Sequence, residues 1–109
     1  MASDLRTVLV TAPDPETAES LAEALVGERL AACANLVPGV VSIYRWEGEI
    51  HRDGEVLLVL KTTAARADAL RKRVVALHPY GVPEVLVLAV EEGHEPFEAW
   101  VREQVEVAP

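Results

Sequence analysis

Seven consecutive residues, His78-Pro79-Tyr80-Gly81-Val82-Pro83-Glu84, bring together an imidazole, a phenol, a carboxylate and two prolines. An imidazole suits copper, zinc and nickel, so His78 is a candidate metal ligand, with Tyr80, Glu84 and a neighbouring subunit as candidate supports. The same position suits a structural histidine, because the negative end of a helix ending at Pro79 favours it. Trp46 and Tyr44 form a second cluster, which fits a subunit interface or a ligand pocket. With Tyr80, Pro83 and Glu84, Trp46 defines the candidate pocket.

The other reactive side chains point to little chemistry. Cys33 lies among small apolar residues (Leu30-Ala31-Ala32-Cys33-Ala34) and reads as a small buried hydrophobe. It has no second cysteine with which to build a soft-metal site. His51 and His94 fall in turn and loop settings and are expected to be solvated. Ser20 lies in a helical stretch and Ser42 in a strand-like one, neither on a catalytic elbow. No glycine-rich phosphate loop precedes a helix, and Met1-Ala2 excludes chemistry by an N-terminal proline. A non-catalytic protein is expected.

Composition bounds the partners. The 109 residues suit one domain spanning 1–109 with a single modest core. A net charge of −8 argues against nucleic acid or an anionic membrane as the main partner. The start of the chain has no basic region and only a three-residue apolar run, Val8 to Val10, so neither a signal peptide nor a membrane span is expected. The lone cysteine fits a reducing cytoplasm. One Asn, one Gln and many Glu, Arg, Ala and Pro fit a thermostable protein.

The elements that must position these residues follow from periodicity. Arg6 to Ala12 is β-branched and apolar, hence a strand. Asp14 can cap a helix that begins at Pro15, with Ala18, Leu21, Ala22, Leu25 and Val26 as its apolar stripe. Ala34 to Thr63 reads as a long hairpin for which two turns compete. Asp53-Gly54 is favoured by local chemistry, and Glu47-Gly48 is the alternative. Pro38-Gly39 suits a bulge or an edge strand. Thr62 or Thr63 caps a second helix with Ala67, Leu70, Val74 and Leu77 as its stripe. Glu84 to Val90 forms a fourth strand, and Glu95 to Val105 a short helix with Phe97, Trp100 and Val101 on one side.

The order β-α-β-β-α-β plus a final helix is the α+β, ferredoxin-like arrangement. Right-handed crossovers then place both main helices on one face of an antiparallel sheet of order 4-1-3-2. Such a sheet should alternate apolar and polar residues. Yet Val56 to Leu60 and Val85 to Val90 are apolar throughout, so the second face needs a cover. Asn35 to Trp46 could reach roughly 40 Å against roughly 23 Å for Arg6 to Ala12, at about 3.3 Å per residue. The overhanging hairpin would expose unpaired edges. Both features predict a homo-oligomer. The topology sets His78 to Glu84 beside the end of the first strand, around Val10 to Ala12, and Cys33 at the opposite end. Trp46 shares the end of His78, but strands 1 and 3 intervene, so the two meet more easily across a subunit interface.

Val10-Thr11-Ala12-Pro13-Asp14, Glu28 to Ile50, Glu55 to Thr63 and His78 to Leu88 together resemble the CutA divalent-cation-tolerance family along nearly the whole chain. The resemblance implies a ferredoxin-like subunit in a tight homotrimer, similar in architecture to the PII signalling proteins, and a link to copper and other divalent metals. It favours Glu47-Gly48 as the turn. The cysteine and paired histidines proposed as copper ligands in that family correspond here to Val10 and to Leu77-His78. Gly81 stands where relatives commonly carry a polar residue. Only His78 remains, which implies weak binding of Cu²⁺ or another divalent cation. Two other functions stay open: a PII-like small-molecule sensor with a cleft between subunits, and a structural interaction module.

Overall fold

The computed structural model describes residues 3–106. In chain order its elements are β1 (Leu5–Ala12), α1 (Pro15–Gly27), β2 (Cys33–Trp46), β3 (Glu49–Thr63), α2 (Ala64–Leu77), β4 (Val85–Ala89) and α3 (Glu95–Val105). The four strands form one antiparallel sheet of order β2-β3-β1-β4. This is the expected ferredoxin-like order seen from the other edge.

Local chemistry accounts for most boundaries. Asp14 is extended and accepts a 2.7 Å hydrogen bond from the Thr17 N–H, with Pro15 opening α1 behind it. Gly27 is the last helical residue, and the left-handed residue beyond it is Arg29 at φ 58°. Glu47 and Gly48 have φ of 49° and 80°, so this pair closes the hairpin. Two consecutive positive φ values match the twist of paired strands. Asp53 and Gly54 instead continue β3, opposite Ser42 and Val41. At Pro38-Gly39 the register shifts, with Gly39 at φ 78°, which forms the expected bulge. Thr63 occupies the cap position of α2 without a side-chain cap bond. Thr62 is buried and donates to the Leu30 carbonyl at 2.7 Å.

Alternation along the strands sorts the two faces. Val8, Val10 and Ala12 of β1 and Val56, Leu58 and Leu60 of β3 bury against Ala18, Leu21 and Leu25 of α1 and Leu70 and Val74 of α2. Val26 and Leu77, expected in the helical stripes, are exposed at the margins of this core. A second cluster joins Leu5 and Ala32 to Val101 and Val105, docking α3, while Phe97 and Trp100 remain exposed beside each other.

On the opposite face α3 covers only the end of the sheet at Leu5, and among the described residues the stretch around Leu86 and Leu88 stays open. Leu86 lies opposite Leu9, and Leu88 opposite Thr7, on that face. Leu86 and Leu88 are 54% and 44% exposed. The pairing of β3 with β1 begins only at Val56. Glu49–Glu55 and Val40–Trp46 therefore run on as a two-stranded arm, which helps to stretch the subunit to 46 × 27 × 22 Å. None of the described helices is long and apolar enough to cross a membrane.

Candidate functional site

The segment between α2 and β4 crosses the end of β1 beside the arm. His78 ends α2: its N–H still reaches the Val74 carbonyl at 2.8 Å, but its ψ of 138° is extended. The residue before a proline is pushed out of helical geometry in this way. The side chain is 7% exposed. Its Nε2 lies 2.7 Å from the Thr11 carbonyl oxygen, and its Nδ1 lies 3.1 Å from the Tyr80 backbone N. A carbonyl only accepts and an amide N–H only donates. The partners therefore assign the neutral tautomer, with the proton on Nε2 and the lone pair on Nδ1.

This imidazole fastens Tyr80, whose ring centroid lies 4.7 Å from its own. The Tyr80 hydroxyl donates to Glu55 Oε2 at 2.8 Å. Burial, followed by the bond to Glu55 and its negative charge, pushes the Tyr80 phenol well above its ordinary range. Tyr80 thus stays a neutral donor, and its chain of contacts ties the end of β1 to the arm. Across the arm the Tyr44 hydroxyl donates to the Asp53 carboxylate, which also raises the Tyr44 phenol. His51 stacks on Tyr44 at 5.3 Å and is half-buried, where the sequence pointed to a solvated ring.

A cavity of about 720 Å³ opens between these parts. Thr11, Tyr44, Trp46, Glu55, Tyr80 and Glu84 are among the residues that line it. Trp46 and His78, expected to meet more easily across an interface, are not brought together within the chain, since His78 does not line the cavity that Trp46 lines. Trp46 and Tyr80 line the same cavity within one chain. His78 and Pro83 do not line the cavity, whereas Pro79, Val82 and Glu84 do.

The donor set does not fit a resident metal. Both His78 nitrogens already have partners. Val10, on the adjoining stretch of β1, is a fully buried core residue. Among the described residues, no group of three or more His, Cys, Asp or Glu side chains is placed to hold an ion. Cys33 is half-buried rather than buried, in register with Lys61 and through it with Thr7. That is four residues along β1 from Thr11, on the order of 13 Å. His94 is exposed ahead of α3.

Sequence reasoning missed Glu55, Asp53 and the partners of Tyr44. Once the Glu47-Gly48 turn is chosen, counting back from it pairs Tyr44 with His51 and Ser42 with Asp53, which would have exposed this polar row.

The model of the CutA1 divalent ion tolerance protein family matches residues 6–104. The divalent-cation tolerance protein CutA of Thermus thermophilus is 53% identical over 96 residues, covering 88% of this chain and 93% of that one. The solved structure of the Thermus thermophilus divalent cation tolerance protein superimposes with a TM-score of 0.91 at 50% identity, over 94% of this chain and 99% of that one. The crystal structure of CutA from Xylella fastidiosa gives 0.93 at 39% identity, over 95% of this chain and all of the other.

Proposed function

This chain belongs to the CutA1 divalent ion tolerance family, and from that premise we propose that it serves divalent-cation tolerance as a non-catalytic, cytoplasmic homotrimer that binds a small ligand. The ligand enters the cavity between the hairpin arm and the Pro79 to Glu84 segment. The observation that carries this reading is the cavity itself, which two elements distant in sequence line with Trp46, Tyr80, Glu55 and Glu84.

His78 acts here as a staple. It captures Cu²⁺ or another divalent ion only weakly, because the ring must first give up the Thr11 carbonyl or the Tyr80 N–H. Trimer formation is supported by the uncovered Leu86 and Leu88 and by the unpaired edges of the arm. Covering that face removes apolar surface from water at about 25 cal/mol per Å². The cytoplasmic setting agrees with a lone thiol.

Two titrations test the reading. Trp46 fluorescence in a Trp100→Phe background, followed across a metabolite panel, should respond saturably to at least one small molecule. Calorimetric titration with Cu²⁺ should show only weak binding. A tight, stoichiometric Cu²⁺ site lost in His78→Ala, with no metabolite response, would replace the pocket reading with direct chelation.

A further inference from the structure

The charge and shape of the cavity narrow its ligand further. Two carboxylates, Glu55 and Glu84, stand on its wall, and none of the residues that line it is a lysine, arginine or histidine. Three aromatic residues, Tyr44, Trp46 and Tyr80, complete the wall. Two of these rings are held in place: Tyr80 by Glu55 and the His78 contact, and Tyr44 by Asp53 and the stacked His51. The whole chain is acidic, at −8, which adds a favourable field for a cation and opposes an anion.

Such a wall discriminates between kinds of cation. A small inorganic ion draws its affinity from several converging oxygens, and no such cluster exists among the described residues. An alkylated ammonium instead presents a diffuse charge and an apolar shell. It gains from aromatic faces and from a carboxylate that need not touch it, and it sheds its water readily. We propose that the cavity is a site for an organic ammonium ion, with Trp46 and Tyr80 as cation-facing walls and Glu84 as the counter-charge. This assignment rests on the pocket reading above and specifies its ligand class. Glu55 is a positioning residue, since its carboxylate is engaged by the Tyr80 hydroxyl.

Three probes of one shape separate charge from cavity: choline-like trimethylammonium ethanol, its neutral isostere 3,3-dimethylbutan-1-ol, and the anion 3,3-dimethylbutanoate. Each is titrated at constant ionic strength into the Trp100→Phe protein with Trp46 fluorescence as the readout. The cation should saturate the signal, with the neutral isostere weaker by about tenfold and the anion weaker still. Glu84→Gln should weaken the cation several-fold and leave the isostere unchanged. Equal binding of cation and isostere, or preference for the anion, overturns the ammonium assignment while the pocket reading stands. Displacement of the cation by equimolar Mg²⁺ overturns it too, because carboxylates alone would then hold the charge. Silence from all three probes refutes the assignment and leaves the pocket reading to its own metabolite panel.

Discussion

Replacing His78 by alanine separates a structural histidine from a metal-binding one. The substitution removes two hydrogen bonds, one at 2.7 Å to the Thr11 carbonyl and one at 3.1 Å from the Tyr80 N–H. Each contributes about 1 kcal/mol net. Loss of the packed ring, which is only 7% exposed, adds about 1 kcal/mol for transfer and cavity together. His78→Ala should therefore cost about 3 kcal/mol per chain. Glutamine can still donate to the Thr11 carbonyl, so His78→Gln should recover about half of that loss. Urea unfolding at fixed chain concentration reads the difference, because the proposed assembly would make the midpoint concentration-dependent. The same variants should lose the weak Cu²⁺ binding of the parent together with this stability. They should also shift the emission of Trp46, since Tyr80 loses its anchor. A loss below about 0.5 kcal/mol would refute the staple. So would copper binding that disappears while stability stays constant. If His78→Ala fails to fold, His78→Gln carries the test alone.

Tyr80 sets an alkaline limit on stability. Its folded phenol titrates above the unfolded value of 10.0 because of burial and Glu55. The stabilisation is complete below that pH. Above it the unfolded chain releases its proton before the folded one, so stability falls until the folded phenol ionises. Urea midpoints on either side of pH 10 should show a steeper decline in the parent than in Tyr80→Phe; parallel slopes would count against the Tyr80–Glu55 bond. On the open face, Leu86→Asp with Leu88→Asp should weaken the proposed trimer by more than about a hundredfold, since two carboxylates would lose water on assembly. Light scattering reads this directly, and a parent protein that is monomeric at micromolar concentration would contradict the oligomer.

The element order was legible because each boundary carries its own local chemistry. Asp14-Pro15 starts one helix, Pro79 stops another, and Pro38-Gly39 marks a bulge. The need for a covered second face was equally legible, from apolar runs where a one-sided sheet should alternate. The choice of turn was not settled locally. Asp53-Gly54 is the better turn pair in isolation, yet Glu47-Gly48 closes the hairpin and Asp53 serves Tyr44 instead. A difference in the chemistry of one turn pair is small beside the pairing of a whole strand.

Sequence by itself determined the ferredoxin-like order, the faces of the helices and strands, and the cluster of unusual residues from His78 to Glu84. Only the tertiary structure decided what that cluster does. The role of His78 depends on which atoms surround its two nitrogens, and those belong to Thr11 and Tyr80. Likewise, that Trp46 and Tyr80 line one cavity depends on how the arm and the segment after α2 pack together. A residue list records donors and rings; whether a nitrogen is free, or two rings share a cavity, depends on contacts between segments far apart in the chain.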